Sequence, residues 1–188
     1  MNTLFHINFW KRDLALCIIF GMTLISCSNR TTSEFTIEEV ASATFSINMV
    51  RKESESPEAI KLAKVGRLPP GAAYYPPRNN LDLIVYKRTK ITQDCLKNVS
   101  AGVHPLNNSP ILNFSFNNGC TALLAEVTEN NIGQKLAIII NDEMVTAPRI
   151  TAPIIGGFGY VEGNFTQGEL NRLSRLLTAR IIQNKLNN

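Results

Sequence analysis

Histidine is scarce in this chain: there are two in 188 residues, and His6 stands ahead of the first apolar run. The other, His104, lies in the loop-like stretch SAGVHPLNNS, with no carboxylate or nucleophile suggested nearby. An imidazole that acts as acid, base or ligand needs such a partner, so His104 is expected to be structural or solvent-exposed. Histidines, cysteines and acids are too dispersed for a metal site, and no C-x-x-C pair suggests redox chemistry. Asp142-Glu143 is a carboxylate pair, but it falls in a turn, where charge is the default. The expectation is therefore no catalytic residue, no metal, no cofactor and no enzyme.

Long runs of like charge are also missing. The 19 basic and 15 acidic residues are scattered and leave a net charge of +4. The densest basic run, Tyr86-Lys87-Arg88-Thr89-Lys90, ends a strand-like segment and suits a solvated strand end better than a nucleic-acid patch. No nucleic-acid partner is expected. The glycines of GGFGYVEGNFT (156–166) do not make a dinucleotide fingerprint either. After Gly157 and Gly159 the third glycine position holds Glu162, and Gly163 comes one residue late. Thr166-Gln167-Gly168-Glu169 then reads as a capping box, whose own side chains occupy the first free amides of the next helix. These glycines are expected to bend or bulge a strand.

No apolar run reaches the roughly 20 residues of a membrane-spanning helix. The run Leu14–Ile25 has twelve residues, follows Lys11 and Arg12, and suits a signal-peptide core of about 7–15 residues. It ends in Leu24-Ile25-Ser26-Cys27, which resembles the bacterial lipobox, whose cysteine is acylated and becomes the new N-terminus. Two or more acyl chains on Cys27 would anchor the protein stably. Ser28 in place of Asp favours the outer membrane, by analogy with the bacterial sorting rule. The expected organisation is a lipoprotein signal peptide over 1–26, a polar tether over 27–39 and a domain over 40–188. Loss of 1–26 removes Lys11, Arg12 and Asp13 and leaves 17 basic and 14 acidic residues. Cys17 leaves with the signal, so Cys95 and Cys120 remain in the domain. They either pair, as an oxidising envelope permits, or stay as two separate thiols. Sequence does not supply their Cα separation.

The domain opens with a strand in which Ala43, Phe45, Ile47 and Met49 alternate with polar residues. Ser56-Pro57-Glu58 starts a helix that Gly66 ends. A proline-rich loop, RLPPGAAYYPPRNN, leads to a second strand, LDLIVYKR. ILNFSF places Leu112, Phe114 and Phe116 on one face, and a helix with Cys120, Leu123, Leu124 and Val127 on one stripe follows Asn117-Asn118-Gly119. KLAIII is buried-strand material, Asn141-Asp142 is a turn, and EMVTAP returns. The helix from Thr166 presents Leu170, Leu173, Leu177 and Ile181 on one face. Tight turns between strands point to an α+β domain, with an antiparallel or mixed sheet and helices packed on one face.

The stretch from Phe114 to Leu177 resembles the head part of the first periplasmic domain of SecD, a subunit of the bacterial protein-export machinery. The resemblance lies in Asn131-Ile132-Gly133 before Leu136-Ala137-Ile138, in Thr146-Ala147-Pro148, in Ile155-x-Gly157, and in Gly163-Asn164-Phe165-Thr166 before a leucine-rich helix. Upstream, Gly66-Arg67-Leu68-Pro69-Pro70-Gly71 is similar to the family's loop, so the likeness spans roughly residues 40 to 180. Where the family usually has Asp-Gly, this chain has Asn141-Asp142, which puts a residue with a side chain at a position of positive φ. The family's proton-driven work depends on charged residues in membrane helices, and none is expected here. The resemblance thus implies the fold and a protein-facing surface, and no motor.

Two functions remain. The domain either binds extended or unfolded polypeptide near the membrane, in the service of export, or is an envelope scaffold that docks on one folded partner. Tyr74 and Tyr75 in the proline-rich loop, with Phe158 and Tyr160 in the glycine-rich stretch, are the candidate contacts. Phe158 and Tyr160 are either an open platform or core packing under the last helix. All four in one concavity would favour the first function, and a single flat apolar patch the second.

Overall fold

The run LAIII over residues 136–140 has no polar face, so a strand made of it needs cover on both sides. The computed structural model describes residues 34–187 apart from 79, 81 and 88–90. In chain order its elements are α1 (Ile37–Ser42), β1 (Phe45–Met49), α2 (Pro57–Lys64), β2 (Ala72–Tyr74), β3 (Ile84–Tyr86), β4 (Ile91–Thr92) and β5 (Leu96–Val103). They continue with β6 (Pro110–Phe116), α3 (Asn118–Glu129), β7 (Leu136–Ile140), β8 (Glu143–Thr146), β9 (Phe158–Glu162) and α4 (Gln167–Leu186). The fold is α+β, and its paired strands are antiparallel. They form three sheets rather than one, ordered β4-β1-β7-β8, β2-β3 and β5-β6-β9.

β7 is covered on both faces. On one side Ile138 and Ile140, with Phe45 and Ile47 of β1, meet Leu112, Phe114 and Phe116 of β6 and Val161 of β9. The rings of Phe45, Phe114 and Phe116 lie 5.4–6.0 Å apart, tilted against one another. On the other side Ala137, Ile139 and Met144 meet Leu83 and Val85 of the β2-β3 region. The β7–β8 turn holds Asn141 at φ 48° and Asp142 at φ 60°. Short polar side chains tolerate this left-handed region, and it suits a two-residue hairpin. The Asn141 Oδ1 also accepts from the Thr44 amide at 3.1 Å, which joins the turn to the start of β1.

α4 starts as its capping box dictates: the Thr166 Oγ1 accepts from the Glu169 amide, and the Glu169 Oε2 accepts from the Thr166 amide at 2.7 Å. Its buried face is Leu170, Ser174, Leu176, Leu177 and Ile181. Leu173, expected on that face, is only half-buried, because α4 is rolled to bring Leu176 inward. On α3 the buried pair is Leu124 and Thr128 rather than the whole expected stripe. The Thr128 hydroxyl donates to the Leu124 carbonyl at 2.7 Å and accepts from the Ile154 amide at 2.8 Å. A polar residue is thereby satisfied inside and ties down the loop before β9.

The tether expectation needs correction at its C-terminal end, since the folded unit begins at Glu34. Phe35 is buried, and Thr36 with Glu39 makes a second capping box that opens α1. α1 is held to α4 by Arg172–Glu39 at 2.9 Å, and the residues ahead of it by a two-pronged Arg175–Glu34 pair at 2.6 Å. The expected signal peptide over 1–26, Cys27 and residues 28–33 lie outside the described residues.

Cys95 and Cys120 are joined by a disulfide, with 5.5 Å between their Cα atoms. It fastens the turn before β5 to the first turn of α3. On the chain-entropy view, closing a loop of this length contributes about 3–3.5 kcal/mol.

Candidate functional site on the outer face of the β5-β6-β9 sheet

Along β9 the side chains alternate between core and outside, as a strand requires. Gly159 and Val161 face inward: Gly159 stands opposite Phe114 and Val161 opposite Leu112. Phe158 and Tyr160 therefore both point out, and they are 71% and 51% exposed. Both rings are thus left open on one face of one strand. The Phe158 ring folds back over Gly156, where a Cβ would lie 2.5 Å from its Cε1. Ile154 and Ile155, in the loop before the glycines, are also exposed, Ile155 at 77%.

Polar groups frame one end of this surface. The Tyr160 Oη lies 3.4 Å from the His104 Nε2, and the two rings sit 5.4 Å apart. His104 Nδ1 accepts from the Leu106 amide at 3.3 Å. In the neutral ring this leaves the proton on Nε2, so Nε2 donates to Tyr160. Glu162 accepts from Ser109 and, at 2.8 Å, from Asn107. The hydroxyl of Ser109, then the amide of Asn107, hold its carboxyl below the usual range.

Tyr74 and Tyr75 are not part of this surface. They belong to the β2-β3 side of the domain and do not share a concavity with Phe158 and Tyr160. Tyr74 donates its phenol to Asp82 Oδ1 at 2.6 Å, and Lys64 holds the other carboxylate oxygen at 2.6 Å. Burial first, then the Asp82 bond, pushes the Tyr74 phenol up to about 12. Tyr75 is half-buried against the cluster of Leu83, Val85 and Met144. Both serve the domain's own packing, so neither is a ring on a loop free to grip.

Sequence reasoning missed Ile154 and Ile155, although the signal was there: an apolar pair directly before Gly156-Gly157. It also missed the pairing of His104 with Tyr160, which are 56 residues apart and meet only through the β5–β6–β9 register. A recess between α4 and the β7–β8 turn is lined by Arg78, Glu143, Glu169 and Arg172. Its guanidinium groups are already engaged, Arg78 with Glu143 and Glu169, and Arg172 with Glu39. Among the described residues no group of His, Cys, Asp and Glu is placed to hold a metal ion.

Residues 72–182 match the family model of the SecDF P1 head subdomain. The chain belongs to this family. It is 33% identical over 132 residues to the protein translocase subunit SecD of Rickettsia bellii, a match covering 70% of this chain and 25% of that protein. With the same subunit of Rickettsia conorii the identity is 32% over 141 residues, covering 73% and 26%. The chain thus spans about a quarter of the length of these SecD relatives. Two solved SecDF structures share the fold. One is described as a membrane component that enhances protein export, with a TM-score of 0.54 at 22% identity, covering 73% of this chain and 62% of that one. The other is SecDF in a super-membrane-facing form, with a TM-score of 0.53 at 21% identity, covering 73% and 19%. The SecD-like loop Gly66–Gly71 lies just ahead of the matched residues, and Gly66 and Gly71 both adopt positive φ there. Among the described residues no helix is long and apolar enough to cross a membrane.

Proposed function

We propose that this SecD head domain binds extended or unfolded polypeptide on the outer face of its β5-β6-β9 sheet. In this reading it works at the envelope membrane, held by lipid on Cys27, as an accessory to protein export and without enzymatic activity. The observation that carries the reading is the outward pair Phe158 and Tyr160, exposed on one face of one strand. Exposed rings bury large area against many sequences at low entropic cost. That the relatives are named protein translocase subunits supports an export role.

The alternative is an envelope scaffold that docks one folded partner on the same face. It is favoured by the separation of Tyr74 and Tyr75 from Phe158 and Tyr160, which leaves one patch instead of a four-ring concavity. Photo-crosslinkers at Phe158 in the native envelope separate the two. Many polypeptides, lost when an unfolded competitor is added, support the first reading. A single folded species that survives the competitor supports the second.

A further inference from the structure

β9 is an edge strand, paired with β6 and, among the described residues, with no further strand beyond it in its sheet. The Phe116 amide donates to the Gly157 carbonyl at 2.8 Å, and the register runs on with Phe114 opposite Gly159 and Leu112 opposite Val161. In an antiparallel pair, directly hydrogen-bonded residues alternate with residues whose N–H and C=O point the other way. Gly157, Gly159 and Val161 therefore face β6, while Phe158, Tyr160 and Glu162 turn their backbone groups away from it, to the edge that β8 approaches only near Gly163. Among the described residues no hydrogen bond occupies those backbone groups.

Proteins usually guard such an edge with charge, proline or a bulge. β9 has none of these across Phe158–Val161. Its one charge, Glu162, is turned to Asn107 and Ser109. We propose that β9 is a strand-addition site, where an extended polypeptide of alternating character pairs with the backbone of Phe158, Tyr160 and Glu162 and lays every second side chain on the two rings. This rests on the reading that the outer face binds polypeptide, and it assigns the affinity to backbone pairing, with the rings selecting apolar side chains.

The size of the surface selects an extended segment over a second copy of this chain. At 71% and 51% exposure the two rings leave on the order of 250 Å² of aromatic surface open. A stable dimer needs about 800 Å² from each partner. A single strand needs only an edge of this length.

The test uses the full-length chain and a short unstructured peptide of alternating valine and threonine with a lysine tail. On saturation, amide exchange at Phe158, Tyr160 and Glu162 should slow by at least about tenfold, while Val161, already paired with β6, stays unchanged. Glu162→Pro removes an edge N–H without touching the β6 ladder. It should bind about fivefold more weakly than Glu162→Ala, which keeps that N–H. If Glu162→Pro does not fold, the exchange measurement decides. Peptide binding that is weakened by Phe158→Ala with Tyr160→Ala, yet leaves the edge amides unprotected, overturns strand addition and leaves the ring platform standing. Protected edge amides with no loss in that double variant uphold strand addition and remove the rings from the site. No binding to either protein overturns both. Dimers in sedimentation that dissociate in Glu162→Pro would assign the edge to a second copy and also overturn the proposal.

Discussion

Gly159 and Phe114 face each other across the β6–β9 pair, and a Cβ built on Gly159 would lie 3.0 Å from the Phe114 Cζ. Phe114 is buried in the ring cluster with Phe45 and Phe116 and has little room to withdraw. The glycine thus lets β9 lie close on the core while its neighbours point out. Gly159→Ala should cost about 1–3 kcal/mol by overpacking. Adding Phe114→Leu should recover part of that loss, because the two residues are in contact. Urea melts of the single and double variants measure the coupling. Additive losses would mean that the close approach does not matter.

The helix α4 offers a graded test of burial. Leu177→Ala, at a fully buried position, should cost about 2–5 kcal/mol. Leu173→Ala, at a half-buried one, should cost clearly less. Thr166→Ala removes the cap and should cost about 0.5–2 kcal/mol. Equilibrium unfolding in urea gives the order, and a Leu173 loss equal to that of Leu177 would contradict the observed roll of the helix.

Tyr74 should be the source of an alkaline transition. Its phenol is pushed up to about 12 in the folded state by burial and by Asp82. The unfolded value is about 10. Stability tied to the neutral phenol is therefore intact below about pH 10 and is lost as pH rises through about 12. Ultraviolet titration should show one tyrosine ionising near the upper end of that window, and Tyr74→Phe should abolish that step. Asp82→Asn should shift it downward, since it removes the carboxylate that disfavours the phenolate. An unchanged upper step in Tyr74→Phe would assign the transition elsewhere.

Cys27 carries the proposed lipid. Cys27→Ser should leave the protein unprocessed or release it to the soluble envelope fraction. Intact mass of the native protein should show residues 1–26 removed and acyl groups on Cys27. A cleaved chain of unmodified mass would refute the anchor.

Contacts within a few residues were readable directly from the chain. Both ends of that scale are visible in α4: the Thr166–Glu169 box needs only a three-residue spacing and was legible, whereas the inward roll to Leu176 depends on β5 and β6 beneath it. The same holds at the turn, where Asn141 and Asp142 announce positive φ, and in β9, where Gly159 between two aromatics announces that both rings share a face. Which face that is depends on partners far along the chain. The sheet turns Phe158 and Tyr160 outward because Gly159 and Val161 are needed against Phe114 and Leu112, residues more than forty positions away. The proline-rich stretch between α2 and β3 hid the opposite outcome for Tyr74 and Tyr75, since their partners Asp82, Leu83 and Val85 engage them only once β2 and β3 pair. The polar stretch before residue 40 misled for the same reason: Phe35 stands among polar residues in the sequence, and its burial comes from joining the main core, with Arg172 of α4 over its ring. Local hydrogen-bonding and φ preferences act through covalent spacing and are written in the sequence. Burial depends on which surfaces meet, and only the folded chain brings those surfaces together.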